Sequence, residues 1–344
     1  MNMKRWIARN DTSAFLLLTF GISWPLWLVS GALQRTSVVA PSVPWFVAQL
    51  GVFAPAIAGL AVGVWLQPDG GRRALRTLAY VYIPGAALAL WIATRGFASF
   101  RQIDAPATWA TSALGVWVLF WFGADRNRPA PWSGPPAGRS RIAWWSLACA
   151  AAPTALFLLA WSLAGRGGAD ARIEATSGSP NPARDLTPFE LLSAFAVNLS
   201  FGGSLGEEPG WRGAWLPRLL RRHSAIGGSA IISFWWALWH APIDLTQGFL
   251  LQGAGGLLIR QIWTFPLTVL FTWATLRAGG SLLPPLILHT TINSFSDFAL
   301  AQPGRYERSM GWFFLLVLIV AVAALAIDSR VWKGHGKGAE APGR

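Results

Sequence analysis

Apolar stretches long enough to cross a lipid bilayer recur along almost the whole chain, and no other feature constrains the fold as strongly. A helix needs about 17–25 apolar residues to span a hydrocarbon core of ~30 Å. Such runs occur near 13–33, 43–66, 76–94, 107–123, 142–164, 188–216, 226–243, 257–276, 281–300 and 311–328. A backbone in lipid must satisfy its own polar groups, so runs of this length specify helices. The expected fold is all-α, a polytopic transmembrane helical bundle of about 8–10 spans. The segments 76–94 and 107–123 are the weakest of the set, being short and interrupted by Pro84 or by Gly and Thr. Composition agrees, since 53% of the 344 residues are hydrophobic and only 12% charged, about half the charged fraction of a soluble domain. So few charges cannot clothe a soluble globule of this size.

The net charge of +13 would ordinarily point to nucleic acid. Here, however, the basic residues sit in short clusters between apolar runs, the pattern of membrane topology, so the expected partner is the lipid bilayer and not nucleic acid. Ten spans put both termini on one side. Loops on that side hold 18 Lys and Arg, including Arg72, Arg73, Arg76, Arg218, Arg221 and Arg222, against nine in the opposite loops, Arg260 among them. This excess predicts cytoplasmic termini. The three Lys against 25 Arg point to a GC-rich bacterial source and hence to a bacterial plasma membrane. The first run follows a basic start but lacks a small-residue cleavage site, so it is expected to stay as a span. The lone Cys149 excludes an intrachain disulfide and a cysteine-rich metal site. Segment 124–141, rich in Pro, Gly and Arg, reads as an irregular cytoplasmic linker, and the polar, glycine-rich segment 165–187 as an external loop.

Titratable residues at membrane depth are expensive and therefore functional by default. The sixth to ninth runs contain Glu207, Glu208 and Arg212, then His240, then His289 with Asn293. At about 1.5 Å per residue, Glu207, His240 and His289 all fall roughly 15–22 Å from the cytoplasmic boundary, near the middle of the core. That shared level favours one site. Glu208 and Arg212 are i and i+4 with the acid first, so they can pair, while Glu207 points about 100° away toward another partner. His289 and Asn293 are again i and i+4 and can approach one oxygen atom together. Pro209 removes an amide donor and should kink or restart its helix, where a water-filled cavity is easier to sustain. Trp211, Trp236 and Trp239 lie near enough to line such a cavity. Trp6, Trp45, Trp109, Trp144, Trp145, Trp312 and Trp332 fall near span ends as interfacial anchors. His223 and His335 sit among basic loop residues and should be solvated.

The run Glu207-Glu208-x-x-x-Arg212 resembles the EExxxR motif of the CAAX protease and bacteriocin-processing (CPBP, or ABI) family of intramembrane proteases. His240, with Trp236 four residues earlier where the family usually has Phe, resembles its second motif, and His289-x-x-x-Asn293 its third. The three follow one another in order over about 90 residues. The resemblance implies an intramembrane endopeptidase, with the catalytic site inside the bilayer among the C-terminal-half helices. Glu207 and His240 would bind and deprotonate a water, His289 and Asn293 would hold the oxyanion, and Glu208 with Arg212 would support them. An alternative carries a zinc or other divalent metal on Glu207, His240 and His289. Substrates would be a membrane peptide or a lipidated protein, either a prenylated CAAX-type tail or, in bacteria, an exported peptide or signal-like segment. The chain then divides into residues 1–185, N-terminal transmembrane helices with polar loops; 186–300, the CPBP catalytic core; and 301–344, a last transmembrane helix and basic cytoplasmic tail. Two competing readings use the same residues. One is a proton-coupled transporter with Glu207, His240 and His289 as a relay, against which the lack of an internal repeat counts. The other is a non-catalytic member of immunity type.

Overall fold

The computed structural model describes residues 6–36, 39–66, 68–95, 104–123, 137–165, 188–246, 253–300 and 305–333, apart from residues 8 and 41. The described residues are helical throughout, with no strand among them. The first half of the bundle contains α1 (Asp11–Gln34), α2 (Ser42–Val52), α3 (Ala54–Leu66), α4 (Pro68–Thr77), α5 (Ile83–Thr94), α6 (Ala105–Gly123) and α7 (Arg139–Leu163). A short π-helical turn at Leu78–Tyr82 joins α4 to α5. The second half contains α8 (Pro188–Ser200), α9 (Ser204–Glu208), α10 (Leu216–Leu219), α11 (Ala225–Trp239), α12 (Ala241–Thr246), α13 (Ala254–Arg277), α14 (Leu283–Leu300), α15 (Tyr306–Ile327) and α16 (Ser329–Lys333).

Among the described residues, seven stretches are long and apolar enough to cross a membrane: Asp11–Gln34, Ser42–Gly63, Ala74–Thr94, Ala105–Gly123, Arg139–Leu163, Ala254–Arg277 and Glu307–Ile327. The all-α polytopic bundle expected from the sequence is the fold found. The three remaining expected spans depart from a continuous apolar helix, each for a local reason. Run 188–216 breaks after Ser200, where Gly203 takes φ +109°, a conformation open to glycine alone at little strain. It then restarts as α9 and passes into a π-helix at Pro209–Trp215, because Pro209 lacks the amide that would continue the ladder. Run 226–243 shortens to α11, whose first turn is capped by the Ser224 hydroxyl accepting from the Gly227 amide at 3.2 Å. It ends at His240, before α12 begins. Run 281–300 forms α14, which is helical but heavily polar.

Most of the described polar side chains of α14 are buried, and they are hydrogen-bonded there. The hydroxyls of Thr290, Thr291 and Ser294 donate to the carbonyls one turn earlier, as do those of Thr264, Thr268 and Thr275 on α13, all at 2.6–2.8 Å. Side chains also tie helices together. Ser23, Trp27 and Ser30 of α1 donate to the carbonyls of Gly51, Ala48 and Pro44 on α2 at 2.7–3.0 Å. The Tyr82 hydroxyl reaches the Leu205 carbonyl at 3.0 Å, fixing α9 against the first half.

The aromatic core gathers Trp211, Trp215 and Trp239 around Phe15, all buried to within 1%. Cys149 is a buried thiol within α7, and His223 is exposed, both as expected. Most of segments 124–141 and 165–187, and His335 with the basic tail, lie outside the described residues.

Candidate active site

A cavity of about 450 Å³ opens between the two halves of the bundle, and Glu207, His240, His289 and Asn293 all line it. Its walls follow from helix periodicity. Trp45, Gln49 and Val52 present one face of α2, Trp263, Thr264, Leu267 and Phe271 one face of α13, and His289, Ile292, Asn293 and Ser296 one face of α14. The floor is the broken segment Gly202, Gly203 and Glu207.

Each motif residue is held by a partner. Glu208 and Arg212 are both fully buried and pair at 3.0 Å, the i, i+4 contact read from the sequence. The Arg212 guanidinium is further sandwiched between the rings of Trp236 and Phe271, 4.4 and 4.3 Å from their centroids, a stacked arrangement that a lysine could not reproduce. The same Oε1 of Glu208 lies 2.7 Å from His289 Nδ1. With Glu208 balanced by Arg212, the carboxylate accepts and Nδ1–H donates, which turns His289 Nε2 toward the cavity. Glu207 faces away from this pair, as its 100° offset requires, and its Oε2 accepts the indole N–H of Trp236 at 2.5 Å. Trp at the position where phenylalanine is usual therefore adds a donor to the wall. His240 Nδ1 lies 2.8 Å from the Trp236 carbonyl. A carbonyl only accepts, so Nδ1 carries the proton and Nε2 is the accepting nitrogen.

The convergence point is the bare face of Gly203. A Cβ placed there would stand 2.7 Å from Glu207 Oε1, 3.5 Å from Asn293 Nδ2 and 3.6 Å from His289 Nε2. A carboxylate oxygen, an amide donor and an imidazole nitrogen thus share one small space, kept open by the missing side chain. The Asn293 amide is aimed by its donation to the Gly202 carbonyl at 2.6 Å.

Of the three tryptophans expected at the cavity, only Trp236 lines it. Trp211 and Trp239 are turned into the aromatic core and are fully buried there. Conversely Trp45, read as an interfacial anchor, is a cavity residue. Among the described residues no three His, Cys, Asp or Glu side chains gather closely enough to hold a metal ion. Glu207, His240 and His289 line one cavity, but their inner contacts run to Trp236, the Trp236 carbonyl and Glu208 respectively, so the arrangement does not present a three-ligand cluster.

Three further features escaped the sequence reading. Arg260, counted there as a loop cation, lies on α13, lines the cavity and pairs with the fully buried Asp244. The Gly202–Gly203 break carries no charge to mark it. Gly206 and Gly210 form a small-xxx-small stripe, a signal the sequence does contain. A Cβ on Gly206 would meet the Val52 carbonyl at 2.5 Å, and one on Gly210 would run into the Pro55 backbone. Both glycines therefore let the segment that carries Glu207, Glu208 and Arg212 lie backbone to backbone against the start of α3.

Residues 189–295 match the family model described as type II CAAX prenyl endopeptidase Rce1-like. The chain is also similar, at 27% identity, to CAAX prenyl protease 2 of Methanococcus maripaludis, over 43% of this chain and 65% of that protein. The chain thus spans somewhat less than two thirds of the relative's length. The CPBP resemblance drawn from the three motifs stands, over the segment that contains all of them.

Proposed function

Because residues 189–295 carry the Rce1-like pattern, we propose that this chain is an intramembrane endopeptidase that hydrolyses a peptide bond with a water activated by Glu207. The observation that carries the reading is the convergence of Glu207 Oε1, His289 Nε2 and Asn293 Nδ2 on the open face of Gly203, inside a cavity that His240 also lines.

The water sits between Glu207 and His240. His240 Nε2 accepts one of its hydrogens and Glu207 Oε1 takes the other as the water oxygen adds to the scissile carbonyl. The oxyanion that forms is met by Asn293 Nδ2–H and by His289. Since Nδ1–H of His289 is committed to Glu208, donation from Nε2 requires the doubly protonated ring, which then shares the one Glu208 carboxylate with Arg212. Collapse of the intermediate breaks the C–N bond, and the proton held by Glu207 passes to the leaving amine, so one water is consumed and an acid and an amine are released. Arg212 and Trp236 keep Glu208 and Glu207 apart in orientation, so that one carboxylate serves the water and the other serves His289.

Residues 186–300 form the catalytic core in this reading, and 1–185 and 301–344 wall and anchor it. The substrate is a membrane-associated peptide, and a prenylated CAAX-type tail is the class that the relative's name carries. Both termini face the cytoplasm, supported by the excess of basic residues in the loops of that side. The test is cleavage of a fluorogenic membrane peptide by the purified protein in proteoliposomes. Glu207→Gln should lower kcat about 10²–10⁴-fold with little change in KM. Undiminished cleavage by Glu207→Gln would remove the reading. Activity lost to a chelator and restored by zinc would replace the water mechanism with a metal-assisted one.

A further inference from the structure

One ion pair outside the three motifs is built into the wall of the same cavity. Arg260 donates through Nε and Nη2 to the two carboxylate oxygens of Asp244 at 3.0 and 2.7 Å. Asp244 is fully buried, and the Arg260 side chain is 14% exposed. Desolvating two charges opposes such a pair, and apolar residues of similar volume would fill the same space at no loss of stability. Its placement shows what it holds.

Asp244 lies one turn beyond His240, and the amides of Ile243 and Asp244 both donate to the His240 carbonyl, at 2.9 and 3.0 Å. His240 closes α11 with φ −76° and ψ −2°, so its ring stands at a junction between two short helices and not inside one. A junction of this kind is fixed only from outside. On its α11 side, Trp24 donates to the Trp239 carbonyl at 3.0 Å and Trp239 to the Ser23 hydroxyl at 2.6 Å, which anchors the junction to α1. On its α12 side, the Asp244 carboxylate is gripped by Arg260 of α13, a helix that also packs along α11. The planar fork sets both the distance and the plane of the carboxylate, which a point charge does not.

We propose that Asp244 and Arg260 are positioning residues for the reaction: their bidentate pair locks α12 onto α13 and so holds the His240 ring with Nδ1–H on the Trp236 carbonyl and Nε2 toward the water. The proposal rests on the reading of His240 as the group that orients that water, and neither residue of the pair contacts the reacting atoms.

The experiment compares full-length protein in proteoliposomes with Asp244→Asn, Arg260→Gln, Arg260→Lys and the exchange of Asp244→Arg with Arg260→Asp. Displacing a catalytic group by about 1 Å lowers the rate on the order of a hundredfold. Asp244→Asn and Arg260→Gln should therefore lose about tenfold to a hundredfold in kcat with KM within about twofold. Arg260→Lys should retain an intermediate rate, and the exchange should recover part of what the singles lose. A second readout needs no cleavage. The chain has four histidines, so the ring signals of isotope-labelled histidine are few, and His240 is assigned by its loss in His240→Asn. Its signal should show the Nδ1–H form in the parent protein and move in Asp244→Asn and Arg260→Lys. An unmoved His240 signal, or an unchanged kcat in all the single variants, overturns the proposal. So does a raised KM at constant kcat, which would make Arg260 a substrate contact. Activity that survives Glu207→Gln would instead remove the protease reading, and the histidine spectrum would still decide whether the pair holds the ring.

Discussion

Helix α1 and the segment 204–220 lie against each other in the bundle and are built on opposite rules. In α1 the buried residues form one narrow stripe, Ala14, Phe15, Thr19, Ser23, Trp27 and Ser30. Leu17, Leu18 and Leu28 face outward, 64%, 38% and 57% exposed, while Leu16 packs on the core. Beside Phe15 and Trp27 the inward stripe carries small and hydroxylated residues, because lipid gives little reason to bury leucine, whereas a close approach or a hydrogen bond between helices does stabilise. Segment 204–220 presents almost no outer face, since every residue in it is buried except the partly buried Pro209. It contains Glu207, Glu208 and Arg212 at 5% exposure or less, and its backbone changes from α to π and back within a few residues. A regular helix surrounded by lipid needs nothing from its neighbours. The irregular one is possible only because the regular helices around it supply partners for its charges and its distorted backbone. The regular shell therefore supports the core in which the buried charges are gathered.

Removing one side of the buried pair tests that division most severely. Arg212→Met leaves Glu208 as an uncompensated buried carboxylate and should reduce unfolding stability by about 3–5 kcal/mol, whereas Leu17→Ala on the lipid side should stay within about 0.5 kcal/mol. Denaturant or thermal unfolding in a fixed detergent measures both. Adding Glu208→Gln to Arg212→Met should recover much of the loss, because the charge is gone while an amide oxygen remains for His289 Nδ1–H. A smaller effect is expected at the backbone contact between the two regions. In Gly210→Ala the new methyl meets the Pro55 backbone, which cannot rotate away, so about 1–3 kcal/mol should be lost. Equal stability of Arg212→Met and Leu17→Ala would erase the distinction between shell and core.

The same contrast explains how much of the molecule could be read from its sequence. The shell was legible because a long apolar run has only one fold in lipid. The motif residues were legible because charge in such a run is conspicuous, and i, i+4 spacing correctly paired Glu208 with Arg212 and set Glu207 apart. What remained hidden depends on contacts between distant segments. Nothing near Arg260 in the chain shows that Asp244 will face it, so it looked like a loop cation although it falls just inside the apolar run that opens at Leu257. Trp211, Trp236 and Trp239 look alike in the sequence, and only the packing of the helices shows that Trp236 reaches the cavity while the other two enter the aromatic core. Trp45 could not be told from an interfacial anchor until α2 was seen to close the site.

The gentlest test lies wholly within the shell and carries the opposite sign. Gly21 and Gly31 sit in the interior of α1, and a Cβ at either would meet nothing within 4 Å. Glycine there has no steric duty, and it leaves the unfolded chain more freedom to lose on folding. Replacing each by alanine should therefore stabilise the protein by about 0.5–1 kcal/mol, raising the unfolding midpoint while kcat and KM stay at the parent values. Gly210→Ala differs from these only in what the added methyl meets. If Gly21→Ala and Gly31→Ala lost as much stability as Gly210→Ala, α1 would be packed as tightly as the core it encloses, and the lipid-facing helices would share the chemistry's structural constraints.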